Sequence, residues 1–221
     1  METVKNDNFF LQAWLVLLLA LCYGAALAGV HINFSPIIKE NKINETRQKV
    51  PELILSEKKA RQLAEAEQSL QSQRLRITVK ADGRQKSYNV FKAIQNETVR
   101  GWVAKAAGQG YADEIELLIG LSPEAERITG LFVLSQKETP GLGANIVNKE
   151  WRQQFAGQTT ARKVRVVKDG ADEPHEVDAI TGATISSRAV CSIVNSTVAD
   201  LKTKLAEGLD KSGGNPANQT K

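Results

Sequence analysis

The chain has 221 residues, 42% hydrophobic and 24% charged, with a formal net charge of +4 at pH 7; that size allows one sizeable domain, or a small domain plus an anchor, and the balance excludes wholesale disorder and fibrous classes. Its Lys and Arg are dispersed without a block of five or six, so the basic excess reads as a solvated surface and no nucleic-acid partner is expected. Two cysteines, Cys22 and Cys191, and two distant histidines, His31 and His175, supply neither a disulfide framework nor a zinc or iron–sulfur site, so no metal is expected.

The first predicted element is the apolar run Phe9–Ala28, in which Gln12 is the one strongly polar residue; its length matches the roughly 20 residues a helix needs to cross a bilayer. Ala26-Leu27-Ala28 has the form of a signal cleavage site. The run is nevertheless longer than a signal core of roughly 7 to 15 residues, and Glu2 and Asp7 outnumber Lys5 before it. An uncleaved anchor over residues 1–30 is the expectation. Lys39 and Lys42 after the span against Lys5 before it leave its orientation open. Residues 31–72 read as a juxtamembrane connector followed by a polar helix from Ser56 to about Ser72, with Ser56 as N-cap and Ala60, Leu63, Ala64 and Leu70 as a thin apolar stripe.

The body of the chain, residues 73–207, alternates like a sheet. "RLRITVK", the turn "ADGR" and "SYNVFKA" make a hairpin, and "TVRGWVAKA", "EIELLIGL" and "RITGLFVLS" follow. The expectation is an α+β domain with an antiparallel sheet of about five strands. Gln136–Asn145 is a shaped loop, because Pro140 removes a donor and Gly141 and Gly143 open backbone angles closed to other residues. "VNKEWRQQFAG" then reads as a short helix ended by Gly157, "KVRVVK" as a strand, and "GADEPHE" as a turn. The tail, residues 208–221, is polar and is expected to be disordered.

Between that turn and the last helix lies "VDAITGATISSRAV", Val177–Val190, with Val194, Val198, Leu201 and Leu205 continuing a helical rhythm beyond it. The stretch therefore sits where a strand end meets a helix start. Unpaired amides and the positive dipole end of such a helix favour a phosphate, Gly182 and Ala183 keep bulk away, and Thr181, Thr184, Ser186 and Ser187 add hydroxyls. Plain N-capping by one of those hydroxyls is the alternative.

Asp178-Ala179-Ile180-Thr181-Gly182-Ala183-Thr184 matches D-x-x-[S/T]-G-A-T, the acceptor sequence at which a flavin transferase joins FMN through its phosphate to the last threonine. With Glu138-Thr139-Pro140-Gly141-Leu142-Gly143, "GYADEIELLIGL" before it and a single N-terminal span, the chain resembles the G subunits of Rnf electron-transport complexes over roughly residues 70–205. The related C subunit of the sodium-pumping NADH:quinone oxidoreductase is the alternative; T-I-S-S after Gly182-Ala183 favours the Rnf branch. Thr181 stands where serine is common and keeps the hydroxyl.

The resemblance implies FMN held as a phosphoester on Thr184, with Asp178, Thr181, Gly182 and Ala183 read by the transferase and Ile185, Ser186 and Ser187 opening the helix toward the phosphate. It places Glu138, Thr139 and Leu142 against the flavin ring, with Gly141 and Gly143 bringing backbone close. No residue acts as a catalytic acid, base or nucleophile in turnover, since the flavin does the redox step. Expected partners are the other membrane and peripheral subunits of an Rnf-type ion-translocating ferredoxin:NAD oxidoreductase, and the flavin transferase for maturation. The expected location is the bacterial inner membrane, single-pass, with the domain on the periplasmic side. A membrane-anchored assembly or binding module without cofactor is the reading from another class.

Overall fold

The computed structural model describes residues 9–55, 70–81, 83–168 and 170–207. The polar helix expected from Ser56 (bar its last few residues) and the tail expected to be disordered lie outside the described residues. The first element is one helix, α1 (Phe9–Leu55). It carries an 18-residue window of mean hydropathy 2.2 and is long and apolar enough to cross a membrane. It does not stop at residue 30: the stretch expected to be a connector continues as helix, although Pro36 and Pro51 each remove one backbone donor. Glu, Lys, Arg, Gln, Leu and Ile dominate that stretch, and their helix propensity is compatible with continuation. The chain divides into two units between Glu45 and Thr46, so the last turns of α1 belong with the domain.

The domain is built on a five-stranded antiparallel sheet in sequential order, β1 (Gln71–Ala81), β2 (Arg84–Gln95), β3 (Thr98–Gln109), β4 (Glu114–Leu121) and β5 (Ile128–Ser135). Sheet structure thus begins at Gln71. A two-residue turn joins β2 to β3: Asn96 and Glu97, both at positive φ, link Gln95 to Thr98, the backbone twist such hairpins favour.

After β5 come a short 3-10 turn (Gly143–Val147), α2 (Lys149–Gln153), β6 (Arg165–Val167), β7 (Glu176–Asp178) and α3 (Thr184–Ala206). The helix expected over 147–157 is shorter than its sequence suggests, with a turn closing at Gly157 (φ 85). β6 and β7 pair in parallel over three residues.

Each face of the sheet buries a different set of side chains, as alternation along strands requires. Ile77, Val79, Val90, Trp102, Ala104, Leu117 and Ile119 pack in one core with Val190, Val194, Leu201 and Leu205 of α3 and with Trp151 and Phe155. The opposite face packs Phe91, Ala93, Val103, Leu118 and Leu134 with Val50 and Leu53. Fully burying such side chains contributes about 1.5–3 kcal/mol each. Glycines make the second contact possible: a Cβ on Gly120 would stand 2.9 Å from the Leu53 carbonyl oxygen, and one on Gly130 would stand 3.1 Å from Leu53 Cδ2.

Candidate functional site

The acceptor-like sequence starts from a backbone held on three sides. The amide of Asp178 donates to Gln154 Oε1 at 2.7 Å, Trp151 Nε1 donates to the Asp178 carbonyl at 2.8 Å, and the amide of Ala179 donates to the Val167 carbonyl at 2.8 Å. A turn follows, closed by the Ala183 amide on the Ile180 carbonyl at 2.9 Å, with Gly182 at φ 76 in its third position. That angle suits glycine. Ser187 then reaches back: its hydroxyl donates to the Ala183 carbonyl at 3.0 Å and accepts from the Ile180 amide at 3.1 Å.

Thr184 is the first residue of α3, and the N-cap position is Ala183, which makes no side-chain cap. Capping by a threonine hydroxyl is therefore not what this sequence does. The helix opens with no side chain capping its first turn, which leaves its dipole and amides available to an anion.

A second segment closes on this helix start from inside. Glu138 is buried, 4% exposed; its Oε2 accepts from the Ser186 hydroxyl, and its Oε1 accepts from the Ala112 amide at 3.0 Å. A Cβ on Gly143 would lie 2.5 Å from Ser186 Oγ and 2.8 Å from Glu138 Oε2, and one on Gly110 would lie 2.5 Å from Glu138 Oε1. The loop's own turn is drawn tight by the amides of Leu142 and Ala144, both donating to the Thr139 carbonyl at 3.1 Å. Gly141, at φ 74, meets nothing within 4 Å, so its role is backbone angle. Leu142 Cδ2 comes within 2.9 Å of where a Gly182 Cβ would stand. The loop and the turn of the acceptor-like sequence are thus in direct contact.

Of the residues singled out from sequence, Glu138, Gly143, Ala183, Ser186 and Ser187 point inward and are buried; Asp178 and Thr184 are half-buried. Thr139, Gly141, Leu142, Thr181, Gly182 and Ile185 are exposed. Glu138, expected to offer a polar contact to the ring, has hydrogen-bond partners in the interior, and Gly143 packs closely against Ser186 and Glu138. Three residues that sequence reasoning gave no role enter the site: Ala112 through its amide, and Trp151 and Gln154 behind Asp178. The string "GYAD" is the one signal for the first; nothing local marks the other two. Cys191 lies in the core on α3, its thiol pushed up to about 12 by burial, so it stays protonated.

A model of the FMN-binding domain family matches residues 110–199, a window that holds all three converging segments. Over 221 aligned residues the chain is 31% identical to the G subunit of the ion-translocating oxidoreductase complex of Pasteurella multocida, covering 93% of this chain and 98% of that one. The chain belongs to this G-subunit family. The G subunit of the Na+-translocating ferredoxin:NAD+ oxidoreductase complex of Acetobacterium woodii is 39% identical over 111 residues, 49% of this chain and 53% of that one, so the chain spans about half of that relative's length. In fold, this G-subunit family member is similar to the C subunit of the Na+-translocating NADH-quinone reductase from Parabacteroides distasonis, with a TM-score of 0.57 at 22% identity, covering 80% of this chain and 97% of that one.

Proposed function

We propose that the chain is a membrane-anchored electron-carrying subunit of an Rnf-type ion-translocating ferredoxin:NAD oxidoreductase, holding FMN as a phosphoester on Thr184. The observation that carries this reading is the last threonine of D-x-x-T-G-A-T standing half-buried at the opening of α3, with no side chain capping that helix. The end-to-end likeness to a G subunit supports the Rnf branch over the C-subunit alternative. A binding module without cofactor gives no reason for an uncapped helix end ringed by exposed Leu142 and Ile185.

FMN, when bound, supplies the redox chemistry. The chain's own residues bind and orient. Thr184 Oγ is the ester oxygen, and the first turn of α3 offers its amides and dipole to the phosphate. Asp178, Thr181, Gly182 and Ala183 form the sequence that a flavin transferase reads, with Thr181 and Gly182 exposed to it. Leu142 and Ile185 provide apolar surface for the ring, and Thr139 and Gly141 border it. A covalent tether suits a domain on the periplasmic side, where a lost flavin is not readily replaced. Neighbouring membrane and peripheral subunits would deliver and remove electrons.

Intact mass of the full chain, produced with its flavin transferase, tests the assignment. The FMN increment is expected in the wild type and in Thr184→Ser, and is expected to vanish in Thr184→Ala. Covalent flavin retained by Thr184→Ala overturns it. Protease added to spheroplasts tests sidedness, and a domain that is protected there removes the periplasmic placement.

A further inference from the structure

We propose that Glu138 is a positioning residue for flavin attachment, fixing through Ser186 the helix start that presents Thr184; this rests on Thr184 being the FMN acceptor. The carboxylate is buried, and a buried charge is tolerated only when donors satisfy it. Here both oxygens are satisfied by neutral donors, the Ser186 hydroxyl and the Ala112 amide. Ser186 is the third residue of α3, so the carboxylate is tied to the first turn of that helix.

The surroundings are fitted to that carboxylate. Gly110 and Gly143 come from two different segments, and a Cβ on either would collide with a Glu138 oxygen, at 2.5 Å and 2.8 Å. Three stretches far apart in sequence thus share one buried point, and it lies two residues past the acceptor. Ser187 holds the same helix start from the other direction, through Ile180 and Ala183. Thr184 sits between these two fastenings with its own side chain half-exposed.

Attachment forms an Oγ–P bond at Thr184 while the phosphoanhydride bond of an activated flavin donor such as FAD breaks; AMP leaves, and the hydroxyl proton passes to a base on the transferase. Such a displacement needs the oxygen in line with phosphorus, and a misplacement of about 1 Å can cost roughly 100-fold in rate. Glu138 contributes by holding that geometry, without touching the flavin.

The experiment is flavinylation of the full chain by its transferase with FAD as donor, followed by the rate of covalent flavin incorporation and by the visible circular dichroism of the attached flavin. Ser186→Ala is expected to lower kcat about tenfold with the KM for FAD unchanged, and Ser186→Thr is expected to recover most of the loss. Glu138→Leu, which removes both acceptor oxygens, is expected to be at least as slow as Ser186→Ala, and the double variant to be no slower than the slower single, since both remove one linkage. Ser186→Ala labelled at the wild-type rate with an unchanged dichroic band overturns the proposal, as does a double variant whose losses multiply. If Glu138→Leu does not fold, the Ser186 pair decides alone. Wild-type chain that takes no flavin at all sinks the Thr184 reading and this proposal together, whereas normal labelling of the variants sinks only this one.

Discussion

Trp151 donates its indole N–H to the backbone carbonyl of Asp178 at 2.8 Å, so a side chain on α2 fixes the first residue of the acceptor-like sequence. The ring is buried and stands edge-on to Phe155 with centroids 5.3 Å apart. Trp151→Phe keeps much of that packing and removes the donor, leaving the Asp178 carbonyl without its indole partner. The expected cost is about 1–3 kcal/mol, read as a lower urea midpoint for the full chain in detergent. An unchanged midpoint would mean that another donor reaches the carbonyl.

The seat of Leu53 on the sheet gives a second prediction. Leu53 is 5% exposed and its backbone lies over Gly120 and Gly130. Leu53→Ala should destabilise the domain by about 2–5 kcal/mol through lost burial and the cavity left behind. Gly120→Ala should act from the opposite side, since its Cβ would stand 2.5 Å from Thr129 Oγ1 and 2.9 Å from the Leu53 carbonyl. Each variant's loss is measurable by denaturant unfolding; if Gly120→Ala is as stable as wild type, the helix end shifts freely and is not seated there.

Acid stability should depend on Glu176, which is buried, 8% exposed. The Glu173 amide foremost, then Arg165 and the Asp172 amide, hold its carboxyl below the ordinary value of 4.5, against the opposing effect of burial. Because the folded pKa is depressed, this stabilisation is fully present above pH 4.5 and is lost as pH falls through the lowered folded value. Glu176→Gln should therefore unfold more easily than wild type at neutral pH, with the gap closing below pH 4.5. A gap that stays constant across that range would assign the loss to packing.

The sheet was legible because alternation is a local signal: Ile77, Val79, Val90 and Trp102 announce their shared face by spacing alone. The three-residue pairing of β6 with β7 is too short to leave such a pattern. The end of α1 is hard to read because Pro36 and a rise in charge resemble a linker, while what covers the second sheet face, Val50 and Leu53, becomes visible only once Gly120 and Gly130 are in place beneath it. At the site, the acceptor-like sequence stands out as a string, yet the hydrogen bond between Glu138 and Ser186 joins residues 48 apart. Glutamate in a loop is ordinarily read as exposed, and only the fold turns this one inward.

Leu142 carries the last prediction. It is 43% exposed although its Cδ2 reaches toward Gly182, and its backbone N–H, donating to the Thr139 carbonyl, keeps it in that place. Ile185 is 56% exposed and Tyr111, next to the Ala112 that binds Glu138, is 64% exposed. Exposed apolar side chains on segments that meet at this site suit a flat apolar ligand better than water. Leu142→Ala removes contact surface and leaves Thr184 and both serines untouched, so the FMN mass increment should persist. The attached flavin should then be more open to solvent, seen as stronger quenching of its fluorescence by iodide than in wild type. Gly182→Val should differ in kind: a β-branched residue at φ 76 is strained by about 1–3 kcal/mol and its Cβ collides with Leu142, so attachment itself should fall. Equal iodide quenching in Leu142→Ala and wild type would mean that the ring turns away from this loop, and that Leu142 serves only to brace the acceptor turn.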